Sequence, residues 1–325
     1  MIESKTVHVF FASDERYLPY LSVALTSLSA HAADEYIYDI KILSEDFSNA
    51  ALEATRDALK DNIKISVYDI KERLSHVKGH LRLRLRDYYS ESIYYRMFIP
   101  SMFEDLKRAV YLDSDIVLLD DVAKLYFTDI GDKLLGAVTD ESVIGVSVFC
   151  DYVKRQIGVE DPSEYFNSGV LLMNLDGMRE AGIEKTFLDL LRTHNFNTVA
   201  PDQDYLNLLC RGRVHYLSSG WNKHAIPGTD IASEQLHLIH FNMFNKPWHY
   251  DGVPYEEVFW RFAKMSSYAE LIEKGKAAYT EDERRRDAEG AEGLLLMARQ
   301  IYESGDSMNE ILCGTANSAL TQPVR

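Results

Sequence analysis

Short apolar strand signatures alternate with helical segments through the first 120 residues, and this alternation constrains the fold more than any other feature of the chain. Residues 7–12 (VHVFFA), 36–43 (YIYDIKIL) and 63–68 (IKISVY) are β-branched and aromatic runs bounded by polar residues. Such runs read as buried strands. Between them, residues 20–32 and 49–61 carry helical periodicity. Strand, helix, strand in repetition predicts β-α-β units and a parallel sheet. Residues 109–112, 116–119, 134–138 and 170–173 add further strands. Past Trp248 the pattern turns helical, over residues 255–274 and again over the charged stretch 281–304. Residues 314–325 read as disordered. The expectation is one α/β domain over 1–262 and a helical C-terminal extension over 263–325.

A chain of 325 residues with 46% apolar and 26% charged side chains can bury a sizeable core. Its 51 acidic against 35 basic residues leave a net charge of −16. Phosphate-backbone binding needs clustered Lys and Arg, so nucleic acid is excluded as the expected partner. Three scattered cysteines form no CxxC pair and indicate neither a disulfide scaffold nor a zinc knuckle. The N-terminal apolar run is broken by Asp14, Glu15 and Arg16, unlike a signal peptide. No run approaches the about 20 apolar residues of a membrane span, and a cytoplasmic protein is expected.

Asp113-Ser114-Asp115 closes the strand at 109–112. In open α/β sheets, ligands collect at the carboxyl ends of strands. In extended chain, positions two apart face the same way, so both carboxylates can converge on one cation. Hard oxygen ligands suit Mg²⁺ or Mn²⁺. A solvated strand end is the bland alternative, and the chain holds a second such spacing at Asp202-Gln203-Asp204. His240 follows a short apolar run, with Lys246-Pro247-Trp248 six positions on. An imidazole can complete a metal's ligand set beside two carboxylates, and a Lys can meet a phosphate as a point charge. A packed core histidine is the alternative for His240. Asp14 and Arg16 close the first strand, where such a sheet would hold a nucleotide, but no GxGxxG is present.

Six segments come in a telling order: FASDERY (11–17), YYRMFIP (94–100), YLDSDIVLLDD (111–121), YFNSGVLLMN (165–174), PDQDYLN (201–207) and HFNMFNKPWHY (240–250). In order and spacing they resemble glycosyltransferase family 8, the family of glycogenin and the bacterial lipooligosaccharide galactosyltransferases. The resemblance spans about residues 7–262. It implies a GT-A (Rossmann-like) fold: a mixed, mostly parallel sheet flanked by helices. It also implies a UDP-hexose donor, Mn²⁺ with Mg²⁺ as the alternative, and transfer to a glycan hydroxyl with retention at the anomeric carbon. Carried onto this chain, Ala12, Asp14 and Tyr17 would line the uridine pocket. Arg16 stands where many relatives hold Asn. Arg96 and Ser114 would join the nucleotide-sugar site, and Lys246 would hold the diphosphate. Asp113, Asp115 and His240 would ligate the metal. Asp140, Asn167 and Asp202 would contact the transferred sugar, with Gln203 beneath its anomeric carbon.

One position departs from the family pattern. Relatives place Gly three residues after the metal His, where backbone approaches the diphosphate, and this chain has Met243. Met243 is the one feature that speaks for the alternative of a non-catalytic nucleotide-sugar binder. A haloacid dehalogenase-like phosphatase using Asp113 is a further alternative, but the downstream GDxxxD is missing. The Arg284-Arg285-Arg286 run is flanked by acids and reads as a solvated helix face, so at most weak peripheral membrane contact is expected. Residues 294–302 could pack on the domain or on a partner. Most of the 20 tyrosines read as half-buried packing residues, the alternative being a glycosylated acceptor. The period-2 run at 81–86 reads as a solvated face or a basic flap. Bacterial cell-surface glycan assembly, including lipopolysaccharide, is the expected setting.

Overall fold

The computed structural model describes residues 5–47, 53, 55–56, 59–72, 91–194, 196–305 and 307–313. Its strands are β1 (Thr6–Ala12), β2 (Ile37–Ser44), β3 (Ile63–Asp69), β4 (Arg108–Leu112), β5 (Ile116–Leu118), β6 (Leu135–Thr139), β7 (Phe166–Asn174), β8 (Val214–Tyr216), β9 (Lys223–His224) and β10 (Leu238–His240). The helices used below are α1 (Leu18–His31), α2 (Ser147–Gln156), α3 (Leu175–Glu180), α4 (Ile183–Thr193), α5 (Pro201–Cys210), α6 (Glu256–Ala263), α7 (Ala269–Ala278) and α8 (Glu281–Ser304).

Seven strands form the main sheet in the order β3-β2-β1-β4-β7-β6-β8. All run parallel except β7, which is antiparallel to β4 and β6. Burial alternates along each central strand, as a two-residue period demands. Phe10 of β1, Tyr111 of β4 and Leu171 of β7 enter one core. Val9, Val110 and Leu172 enter the core on the opposite face. Helix α1 covers that second face with Leu21, Ala24, Leu25 and Leu28. Helices α4, α5 and α8 cover the first with Phe187, Tyr205, Leu206, Met297 and Ile301.

A smaller sheet, β5-β10-β9, packs against α1 and α6 around Val23, Val117, Ile239, Phe241, Trp248 and Phe259. Residues 113–115 bridge the two sheets. Asp113 N donates to Gly169 O of β7 (2.7 Å), and Phe241 N, just past β10, donates to Asp115 O (2.9 Å).

The architecture is the mixed, mostly parallel sheet expected from the sequence. Two elements differ. The helix expected over 255–274 is two helices, α6 and α7. Ser266 interrupts it: its Oγ donates to Ala263 O (2.9 Å) and accepts from Tyr268 N (3.3 Å), competing with the backbone ladder. Strand β7 begins at Phe166 rather than 170, because polar Asn167 and Ser168 are buried within it. The run at 81–86 and the tail at 314–325 lie outside the described residues, as does most of the helix expected over 49–61.

Candidate active site

The parallel strands end along one edge of the sheet, and β7, running the other way, begins there. The β4 end supplies Asp113, the β6 end Asp140, and the β7 start Asn167 and Ser168. Together with the β1 end and the β10 end they line a cleft of about 940 Å³. Every site residue expected from the sequence lines it: Ala12, Asp14, Arg16, Tyr17, Arg96, Asp113, Ser114, Asp115, Asp140, Asn167, Asp202, Gln203, His240 and Lys246.

Ligand atoms of Asp113, Asp115 and His240 all lie within 4.8 Å of one another. Whether they suit a cation turns on the imidazole tautomer, and a directional hydrogen-bond chain fixes it. The Asp140 carboxylate accepts from Asn167 Nδ2 (3.2 Å). Asn167 Oδ1 accepts from Gly169 N (2.9 Å) and from Asn222 Nδ2 (2.9 Å). Asn222 Oδ1 is therefore turned to His240 Nδ1 at 2.9 Å, which must donate. His240 Nε2 is left as an acceptor, 3.2 Å from Asp115 Oδ1 and 3.8 Å from Asp113 Oδ2. A lone pair facing two carboxylate oxygens is a ligand set for a divalent ion. Gly169 keeps that space open: a Cβ there would sit 2.4 Å from His240 Cε1 and 2.5 Å from Asp113 Oδ2.

Each carboxylate of the triad already has a cation. Lys246 Nζ donates to Asp115 Oδ2 (2.5 Å) and to Phe241 O (2.5 Å). Burial alone would raise Asp115, but the Lys246 ammonium against it outweighs burial and holds it well below the usual carboxylate range. Arg96 is buried; its Nη2 donates to Asp113 Oδ1 (2.8 Å), its Nε faces Asp202 (3.2 Å), and it stacks over Tyr111. It also donates to the carbonyl and hydroxyl of Ser168. Its own burial notwithstanding, Asp113 and Asp202 raise Arg96 above the ordinary arginine range. Four carboxylates (Asp113, Asp115, Asp140, Asp202) thus face two fixed cations, an imbalance that a divalent ion would neutralise.

Gln203 is tied at both ends. Nε2 donates to Asp140 Oδ2 (2.8 Å), and Oε1 accepts from Ser168 N (2.9 Å). Asp140 is buried, yet nearby His224 and hydrogen bonds from Ser142, Gln203 and Asn167 lower it below its ordinary value. Asp202 moves the other way, raised mainly by burial. On the far side of the cleft, Asp14 Oδ1 accepts from Tyr17 N (2.9 Å) and Oδ2 from the exposed Arg16 (2.8 Å). Ser114 Oγ donates to Ala12 O, fixing the loop to β1. Met243 has φ 61°, the left-handed region in which Gly is favoured, and its side chain is exposed.

Sequence reasoning missed Ser168, Gly169, Asn222, His224 and the wall that α8 contributes. Asn222 lies 18 positions from its partner on β10, so no local spacing signals it. His224 is fully buried behind Asp140 and His240, and its Nε2 has no partner among the described residues. Burial lowers it to about 4.

A cleft at this edge of a mixed sheet, lined by an Asp-Ser-Asp turn and a histidine, defines a glycosyltransferase of the GT-A fold. Such enzymes commonly use a divalent metal and a nucleotide sugar. The sequence profile described as "Glycosyl transferase family 8" matches residues 8–252, and the chain belongs to that family. A putative glycosyltransferase of Haemophilus influenzae is 26% identical over 76% of this chain and 74% of its own. The lipopolysaccharide 1,2-glucosyltransferase of Escherichia coli K12 is 23% identical, over 78% of each chain. Galactosyltransferase LgtC, solved with donor and acceptor sugar analogs, is 27% identical with a TM-score of 0.64, covering 80% of this chain and 96% of its own. The bifunctional WbbM shares the fold (TM-score 0.73, 22% identity, 86% of this chain), and this chain spans 53% of its length. Among the described residues, no helix is long and apolar enough to cross a membrane.

Proposed function

We propose that this chain transfers galactose or glucose from a UDP-hexose to a hydroxyl of a saccharide acceptor, with retention at the anomeric carbon. The observation that carries the reading is the preset Asp113–Asp115–His240 ligand set beside Lys246. Those three residues would hold Mn²⁺, or Mg²⁺ in its place. When bound, the ion stabilises as a Lewis acid the negative charge that departing UDP carries. Ala12, Asp14 and Tyr17 would line the uridine pocket. Arg96 orients Asp113 and Asp202 and adds positive charge behind them. Lys246, once released from Asp115, pairs with the diphosphate as a fixed counter-charge.

Asp140, Asn167 and Asp202 would take hydroxyls of the transferred sugar. Buried carboxylates in that role favour a neutral hexose over a uronic acid, whose carboxylate they would repel. Gln203 is a neutral amide with both ends engaged, so it supports the oxocarbenium-like state electrostatically rather than attacking it. The acceptor hydroxyl then enters on the leaving-group face, and a diphosphate oxygen takes its proton.

The test is UDP release from each common UDP-sugar with Mn²⁺, repeated with Asp115→Ala. Release from one UDP-hexose, reduced at least about 100-fold in the variant, is expected, the scale of losing a main electrostatic contact. Absence of any UDP binding in the presence of Mn²⁺ would sink the reading.

A further inference from the structure

The same cleft continues past the metal loop onto the C-terminal helix. His249, Tyr279, Glu283, Asp287 and Leu294 line it together with the triad and Lys246. We propose that these residues are the acceptor subsite and that it takes an uncharged saccharide; the proposal rests on the sugar-transfer reading above. Four observations carry it.

The first is position. His249 N and Tyr250 N both donate to Lys246 O (2.9 Å each), one tight turn that sets His249 directly beyond the diphosphate lysine. Attack on the leaving-group face requires the acceptor to stand next to the diphosphate, which is where this wall begins.

The second is a ring platform. His249 and Tyr279 stack with centroids 3.8 Å apart and planes 7° from parallel. The pair gives the wall a rigid, prefixed aromatic body with a polar edge against which a pyranose can pack at little ordering cost.

The third is unspent hydrogen-bonding capacity. Asp287 Oδ2 accepts from Tyr250 OH (2.8 Å) and Tyr279 OH (2.7 Å). Glu283 Oε2 accepts from Thr280 N and Oγ (2.7 Å each) in a capping box. The remaining oxygens, Asp287 Oδ1 and Glu283 Oε1, accept no hydrogen bond among the described residues. Carboxylate oxygens beside an aromatic face are strong acceptors for sugar hydroxyls.

The fourth is charge. Glu283 and Asp287 give the wall two carboxylates, and Lys246 is spoken for by the diphosphate. Arg284 stacks over Tyr250 and Tyr279 but is not among the lining residues. A phosphorylated or uronic acceptor would meet like charge here, which costs affinity. The wall is also firmly held, since Leu294, Met297, Ala298 and Ile301 of α8 belong to the core that contains Tyr152 and Val153 of α2.

The experiment uses the full chain, Mn²⁺ and the UDP-hexose that the release assay selects. Transfer to methyl β-galactoside, methyl β-glucoside and methyl β-glucuronide is measured beside acceptor-free hydrolysis. The double variant Glu283→Gln/Asp287→Asn keeps the capping box and the tyrosine acceptor while removing both charges. Tyr279→Leu removes the platform, with circular dichroism as the folding control. The wild type is expected to use a neutral glycoside at least about tenfold better in kcat/KM than the glucuronide. The double variant should narrow that gap to about threefold or less, with hydrolysis unchanged. Tyr279→Leu should raise the acceptor KM about tenfold and leave the donor KM alone. The proposal is overturned if the glucuronide is used as well as the neutral glycosides, or if the donor is hydrolysed but none of the three is glycosylated. It also falls if the variants leave transfer unchanged, or if they shift the donor KM as much as the acceptor KM. Absence of UDP release from every donor would instead remove the sugar-transfer reading first, and this one with it.

Discussion

Gly169 matters for what it lacks. A single added methyl would occupy the space between His240 Cε1 (2.4 Å) and the Asp113 carboxylate (2.5 Å), both held by hydrogen bonds on their far sides. We expect Gly169→Ala to weaken Mn²⁺ binding by about 10–100-fold, the scale of disturbing a ligand's supporting contacts. Titration of Mn²⁺ by electron paramagnetic resonance checks it, and an unchanged affinity would show that the ligands can relax. Met243 is the converse case. Its φ of 61° is retained although the residue has a Cβ, and a left-handed conformation costs a non-glycine residue about 1–2 kcal/mol. Met243→Gly relieves that cost and gives back part of it as chain entropy. The expected net gain is about 0.5–1 kcal/mol, read as a raised Tm. Met243 therefore places an exposed side chain at the cleft rim on a backbone conformation that glycine adopts without strain.

At the scale of elements, α5 shows how burial tunes a helix start. Asp204 is fully buried and accepts from Tyr152 OH (2.6 Å), Tyr165 OH (2.7 Å), Val199 N and Ala200 N (3.1 Å each). Burial nevertheless outweighs those bonds and raises it to about 6. An unfolded Asp titrates near about 3.9, so the folded state binds its proton more tightly. The Asp204 contribution to stability is then complete below about pH 3.9 and is lost as pH rises to about 6, on the order of 3 kcal/mol. Unfolding free energies of wild type and Asp204→Asn across that range should show a wild-type-minus-variant difference that falls with pH and is flat above about 7. A difference that rises would refute the sign. Elements of this kind were only partly legible in the sequence. Strands β1, β2 and β4 announce themselves because a parallel strand buried on both faces is a plain apolar run, and the half-exposed edge strand β3 because Ile63, Ile65 and Val67 recur at every second position. The beginning of β7 does not, because Asn167 and Ser168 are polar residues buried for the site's sake. Helices α2 to α5 and the short strands β8 and β9 carried no signal that the apolar-run reading detected. The candidate metal ligands were legible from motif order, whereas Asn222, which sets the tautomer of His240, sits in a short 3-10 turn 18 positions from it and leaves no local trace.

At the scale of the molecule, α8 joins what the sequence pattern separates. Its inner face belongs to the main core and its first turns line the cleft. Ile301 is buried, and truncating a buried Ile to Ala costs about 2–5 kcal/mol. Urea unfolding of Ile301→Ala should show one transition, shifted as a whole to lower denaturant. Loss of a small early transition alone would mean that α8 melts as an independent unit. The reversed direction of β7 has a longer consequence. A parallel strand offers a site only the loop that follows it, and loops tolerate insertion and exchange. An antiparallel strand offers its own first residues, and an insertion among them slips the register of the paired residues that flank them. Asn167, Ser168 and Gly169 are held in this way, between Phe166, paired with Thr139, and Val170, paired with Leu112. A lineage built on this scaffold therefore inherits its bond-breaking chemistry as a fixed part. It can diversify cheaply only at the periphery, where helices such as α8 can be re-surfaced without disturbing the sheet.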